Sequence, residues 1–438
     1  MLITGAALTG GAAILSSSEA AEAPPRWKAT YSGGPIDAPA QAPGEPGRDY
    51  QPVITPNGVT LPWKIVDGVK VGHLIAEPVR HEFTKGLQAN CWGYNGRVHG
   101  PTIEAVEGDR LRIYVTNKLP APTTVHWHGI YLPCGMDGVG GLTQRSIPPG
   151  DTFRYEFTLR QHGTYMYHSH HDEMTQMAMG MLGMIVVHPR KPAEDDRVDR
   201  DFAIMLSEWA IKAGTETPDP NAMSDFNILT MNGKCFPGTA PIVCKQGQRV
   251  RLRLGNLSAM DHHPIHLHGY HFVVTATDGG RIPVTAQWPE TTVLVPTGST
   301  RDVEFIADAP GDWAMHCHMT HHVMNQMGHG VPNLIGMKPG DIDSRIADLL
   351  PGYMTMGHEG MGEHGVHIEK GHMPAPPNSI PMVGGRGQFD YITMGGMFTV
   401  VKVREKLDRY DDPGWYAFPN GAVAESATKE EMKRDGVM

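Results

Sequence analysis

The chain repeats itself once, and the repeat limits it to a fold built twice from one unit. Residues 107–117 (EGDRLRIYVTN) return as 246–256 (QGQRVRLRLGN), each preceded by an Asn-Gly-basic turn, Asn95-Gly96-Arg97 and Asn232-Gly233-Lys234. Residues 124–129 (TVHWHG) return as 264–269 (PIHLHG), and 163–170 (GTYMYHSH) return as 311–318 (GDWAMHCH). Two copies of one unit imply two similar domains. Within each copy, short alternating runs such as 110–115 (RLRIYV) and 153–159 (FRYEFTL) stand between Gly, Pro and Asp clusters. That is the pattern of half-buried strands in an antiparallel β-sandwich, so the expected class is all-β.

The second copy contains Cys317 between His316 and His318, with His322 and Met327 behind it. Successive side chains on a strand point to opposite faces, so Cys317 faces one way and the two flanking histidines the other. A thiolate, an imidazole and a weak thioether suit a mononuclear blue-copper site. One strand then serves two metal sites, with the cysteine joined through the main chain to ligands of the second.

Further H-x-H pairs occur at His126/His128, His168/His170 and His266/His268, so that with His316/His318 eight imidazoles are available. Both members of such a pair lie on one strand face. Eight imidazoles suit three coppers, one held by two histidines and two held by three each. His263 has the opposite parity to His266 and falls on the Cys317 side. Structural zinc, the natural competitor, takes four ligands at compact spacing, which this set does not match.

These four clusters, H-x-H-G, H-x-H, H-P-x-H-L-H-G and H-C-H-x-x-x-H-x-x-x-x-M, resemble the copper signatures of the multicopper oxidases, in the same order. The resemblance spans roughly Gly86 to Pro339. It implies two cupredoxin-like Greek-key sandwiches. It also implies a type 1 copper on His263, Cys317, His322 and Met327, a type 2 copper on His126 and His266, and a type 3 pair on His128, His168, His170, His268, His316 and His318. Catalysis in such a protein couples one-electron oxidation of a reductant at type 1 copper to four-electron reduction of dioxygen to water. Cys317 carries the electrons, and Asp137 matches an acid that delivers protons near the type 2 copper in relatives. A turn aspartate before Gly138 is the plainer reading of that residue. A second acid of relatives, two residues after the last H-x-H, is replaced by Thr320.

The two copies differ where the blue copper would sit. Ser169 aligns with Cys317, Thr123 with His263, Met174 with His322 and Met179 with Met327, so only the second copy is expected to hold it. The interval between His170 and His263 leaves no room for a third domain. This resembles the two-domain members of the family, including the small laccases, and implies a homotrimer with trinuclear sites at subunit interfaces. The divisions read as 1–23 export-signal remnant, 24–75 Pro/Gly-rich arm, 76–190 first domain, 191–340 second domain and 341–438 C-terminal extension.

The remaining composition bounds the answer. A net charge of −10 in 438 residues offers no basic patch for nucleic acid. No apolar run is long enough to span a membrane. The apolar, Gly/Ala-rich 2–15 followed by SSSEAAEA reads as the latter part of a bacterial export signal, placing the protein in the periplasm or otherwise outside the cytoplasm. With Cys317 assigned to copper, Cys91, Cys134, Cys235 and Cys244 allow up to two disulfides or four buried thiols, and Cys235 and Cys244 are close enough in sequence to close a loop. Met174, Met177, Met179, Met181 and Met184 cluster after the second motif, and the extension adds Met354, Met356, His358, Met361, His364, His367, His372 and Met373. Thioethers select Cu(I), which favours a metal-ion reductant and copper tolerance. Flexible packing is the plainer role for the first cluster. A phenol-oxidising laccase and a non-catalytic copper-binding protein are the alternatives. A run at 394–404 (MGGMFTVVKVR) reads as a strand or an anchoring segment.

Overall fold

The computed structural model describes residues 39–212, 214–224, 226–326, 345, 349, 377–382 and 384–438. The proposed signal remnant, Met327 and the Met/His run of 354–373 lie outside the described residues.

Two β-sandwiches account for most of the strands. In the first, Lys64–Val66, Val69–Thr84, Arg110–Asn117 and Thr152–Thr158 lie side by side, with Leu87–Tyr94 also on Val69–Thr84. The facing sheet runs Ile103–Val106, Leu182–His188, Gly163–His168, His126–His128. Strict alternation drives the packing: every second residue of Arg110–Asn117 is buried. Leu111, Ile113 and Val115 thereby meet Trp127, Phe157 and Tyr167 in one core. Leu61 also joins that core, and the long strand begins at Val69, so the arm expected to run to 75 gives way to sandwich earlier.

The second sandwich sets a seven-stranded sheet, including Arg200–Trp209, Arg249–Asn256 and Ser299–Ile306, against a five-stranded one. The five-stranded sheet has the order Ile242–Lys245, Phe398–Arg404, Gly311–Cys317, His263–Leu267, Thr292–Val295. Phe398–Arg404 is therefore an interior strand, buried throughout. The division at 340 is corrected accordingly, because residues beyond it supply part of this core. An apolar run after a long insertion names no partner by itself; here its partners are Gly311–Cys317 and Ile242–Lys245.

Buried ions join the sandwiches. Arg253, 4% exposed, donates to both carboxylate oxygens of Asp201 at 2.7 and 2.8 Å and to the Thr164 hydroxyl of the first sandwich at 2.8 Å. Thr300 donates to the Thr164 carbonyl at 2.9 Å. A buried guanidinium holds its place when its donors are met this fully.

All five cysteines are free thiols. Cys235 packs with Cys91 and Phe83, whereas Cys244 lies in the core of the second sandwich, so the loop closure allowed by their sequence spacing does not form. Burial pushes both thiols up to about 12, which leaves them unreactive.

Candidate metal centres

Strand register assembles the first centre. His263–Leu267 runs antiparallel to Gly311–Cys317, with Ile265 opposite Cys317 and His266 opposite His316. Alternation turns His263, Ile265 and Leu267 inward and leaves His266 on the other face. His263 and Cys317 are thus fully buried on one side of the strand pair. The turn Thr320–Val323 brings His322 back onto them.

Cys317 Sγ lies 3.4 Å from His322 Nδ1 and 3.8 Å from His263 Nδ1, and the two nitrogens are 3.2 Å apart. A point equidistant from the three atoms is about 2.0 Å from each, a length typical of metal–imidazole bonds and a little below metal–thiolate ones. The donor set therefore fits a copper ion. Burial lowers the pKa of His263 to about 3 and keeps its imidazole neutral, the form that binds metal. Burial also pushes the Cys317 thiol up to about 12, so a cation is needed to hold it as thiolate at neutral pH.

Outer partners, absent from the sequence reading, fix the ring orientations. His263 Nδ1 faces the thiol and His322, so with Nδ1 free to bind metal the ring proton sits on Nε2 and is donated to Ser258 Oγ at 2.6 Å. Asp261 Oδ2 is 3.4 Å from His322 Nε2 on the outward side. Behind it, buried Glu208 accepts from the Met260 and Asp261 amides at 2.6 and 3.2 Å. Burial raises the Glu208 pKa to about 8. Two exposed thioethers, Met260 and Met319, adjoin this edge in sequence. An isolated Ser or Asp in a loop, or Glu in a strand, carries no sequence signal for such a role.

The corresponding place in the first sandwich is closed by hydrogen bonds. Gln176 Oε1 accepts from Ser169 at 2.5 Å and Thr123 at 2.7 Å, and Ser169 and Thr123 lie 3.2 Å apart. Gln176, not Met174, occupies the position opposite the aligned pair; Met174 is 61% exposed. The short helix Glu173–Ala178 turns Gln176 inward, where the linear alignment had placed Met174.

Two groups of four histidines occupy the opposite strand faces. In the first sandwich His126 pairs directly with His168, and rings 126–128, 126–168, 126–170 and 168–170 lie 5.3–6.0 Å apart. In the second, His266 pairs with His316, and rings 266–268, 266–318 and 316–318 lie 4.8–5.7 Å apart. Nitrogens close enough to share an ion occur in both groups: His128 Nδ1 to His168 Nε2 at 3.4 Å, with a His126 nitrogen within 4.8 Å of both, and His268 Nε2 to His316 Nε2 at 3.1 Å. Among the described residues, no ring contact joins one group to the other.

Main-chain acceptors set the tautomers. The Nδ1 atoms of His126, His168, His266 and His316 donate to the carbonyls of Asp137, Ser169, Thr291 and Cys317 at 2.6–2.9 Å. Each thereby presents Nε2 outward. Burial lowers the pKa of His168 to about 3, and also lowers those of His128, His268 and His316. Asp137 reaches His126 twice, through its carbonyl and through Oδ1 at 3.4 Å. Glu173 is a second carboxylate here, 3.6 Å from His168 and 3.7 Å from His170. The sequence reading did not single it out.

Residues 76–192 and 212–335, together more than half of the chain, match two family models, each described as multicopper oxidase. The chain is similar to copper resistance protein A of Escherichia coli, 32% identical over 46% of this chain and 41% of that protein. It is also similar to Laccase-2 of Botryotinia fuckeliana, 32% identical over 61% of this chain and 51% of that protein. It spans about half the length of these curated relatives, or less. Among solved structures, the blue copper oxidase from Nitrosomonas europaea superposes with a TM-score of 0.56 at 28% identity, covering 76% of this chain and 85% of that one. The multicopper oxidase mgLAC superposes at 0.57 and 27%, covering 80% and 89%.

Proposed function

Because the chain belongs to the multicopper oxidase family, we propose that it oxidises a metal ion, Cu(I) in the first instance, and reduces dioxygen to water. When bound, the coppers supply one-electron transfer from the reductant and the multi-electron chemistry that dioxygen reduction needs. The triangle of His263, Cys317 and His322 is the observation that carries this reading. The Cys317 thiolate is joined through the main chain to His316 and His318, giving electrons a short covalent path from one strand face to the other.

The reductant side is read from His322. Its outward nitrogen meets Asp261, and exposed Met260 and Met319 adjoin it in sequence. A carboxylate with neighbouring thioethers suits a soft cation better than a phenol. Proton supply falls to carboxylates at the first histidine group, Asp137 and Glu173, with Thr320 offering none at the second.

Each chain supplies two half-sets of histidines, four from each sandwich. This supports a homotrimer in which the first set of one subunit meets the second set of its neighbour, closing a head-to-tail ring. Export to the periplasm fits a copper-tolerance role. No helix among the described residues is long and apolar enough to cross a membrane.

Oxygen uptake by the copper-loaded protein with Cu(I), Fe(II), Mn(II) and 2,6-dimethoxyphenol tests the reading. Cu(I) should be the best substrate, and Asp261→Asn should raise its KM while preserving the blue absorption. Faster turnover of the phenol, unaffected by Asp261→Asn, would favour a laccase instead.

A further inference from the structure

We propose that His99, Met184 and Met205 form an additional buried site for a soft monovalent cation, Cu(I), where the two sandwiches meet. His99 lies between strands of the first sandwich, Met184 is on Leu182–His188 of that sandwich, and Met205 is on Arg200–Trp209 of the second. All three line one cavity of about 20 Å³, whose other walls include Thr102 and Asn232. That volume holds one small ion or one water.

The hydrogen bonds around His99 allow its proton to sit on Nε2. Trp209 Nε1 donates to Thr230 Oγ1 at 3.1 Å, and the Thr230 hydroxyl donates to the Ser207 carbonyl at 3.1 Å. With the Thr230 proton on that carbonyl, the Ser207 hydroxyl, 2.7 Å from Thr230 Oγ1, is free to donate there. Ser207 Oγ is then an acceptor for His99 Nε2–H at 2.8 Å. With its proton on Nε2, the imidazole presents a bare lone pair at Nδ1. That Nδ1 is buried and has no hydrogen-bond partner among the described residues. Burial keeps the ring neutral, lowering its pKa to about 3.

An uncharged imidazole and two thioether side chains lining one cavity offer a soft, neutral donor set. It favours Cu(I) over Zn(II) or Mg(II), which prefer harder or charged ligands. Met166 and Met177 belong to the same buried cluster as Met184 and Met205, so the surroundings are polarisable as well. Asn57 and Arg97, both exposed, also line the cavity. The site shares no residue with the histidine groups or the Cys317 centre.

Silver(I), a redox-inert stand-in for Cu(I), tests this on the oxidised, copper-loaded full chain. Anomalous diffraction of silver-soaked crystals should show a peak within bonding distance of His99 Nδ1 and of the Met184 and Met205 sulfurs. In solution, wild type should retain one Ag(I) equivalent per chain more than the Met184→Leu/Met205→Leu variant against a competing thioether chelator. Leucine nearly conserves volume, so the fold should survive. An unchanged blue band and melting temperature would verify this. A water alone at Nδ1 in the silver-soaked wild-type crystal would overturn the proposal. So would equal silver retention by a folded variant. If the variant fails to fold, the wild-type map decides.

Discussion

Replacing Ser258 by Ala isolates one outer contact of the Cys317 centre. Ser258 is 2% exposed, and its hydroxyl lies 2.6 Å from His263 Nε2. Its loss leaves a buried N–H without an acceptor, at a cost of about 1–3 kcal/mol. It also frees the imidazole to place its proton on Nδ1, the atom that faces Cys317. Loss of such outer partners typically weakens metal binding by about 10–100-fold, equivalent to roughly 1.4–2.7 kcal/mol. The two ranges overlap, so both the stability of the copper-free protein and its copper affinity should fall. The assay is titration of the copper-free protein with buffered copper, followed by the blue absorption, alongside thermal melts. Ser258→Thr, which keeps the hydroxyl, should recover most of the affinity. A copper affinity for Ser258→Ala within twofold of wild type would refute the tautomer argument.

Two further predictions concern protons. Asp137→Ala should slow dioxygen reduction and leave the blue band intact, because the Asp137 carbonyl, 2.8 Å from His126 Nδ1, survives the substitution; loss of the blue band would instead mean a structural role. His81 is 8% exposed, and burial lowers its pKa from 6.5 to about 4. The unfolded chain therefore binds a proton that the fold does not, so its contribution is present above pH 6.5 and is lost as pH falls toward 4. The full effect is roughly 3 kcal/mol. Urea midpoints of copper-free His81→Gln should fall less than those of wild type across that window, and parallel curves would contradict the assignment.

Much of this was legible in the sequence because strand parity is a strong constraint. The H-x-H pairs, Cys317 and His263 sort onto opposite faces by counting alone, and the register of Ile265 against Cys317 agrees. Elements set by long-range pairing were not legible. Phe398–Arg404 carries no mark that it enters between Gly311–Cys317 and Ile242–Lys245. Gln176 displaces Met174 because a short helix breaks the linear alignment of the copies. Ser258, Asp261 and Glu208 gain their roles only when a loop and a strand distant in sequence meet, as 260 and 208 do. The cysteine spacing misled, since Cys235 and Cys244, near in sequence, fold into different cores.

In the proposed trimer one active centre draws its histidines from two chains, and mixed oligomers test this sharing. One variant loses the first set through His126→Ala and His168→Ala, and the other loses the second through His266→Ala and His316→Ala. Each alone should be inactive. Co-expressed in equal amounts and randomly assorted, they should regain about one quarter of wild-type oxygen uptake, since one interface in four pairs two intact sets. Mixed trimers with no activity, or an active wild-type monomer, would contradict the account.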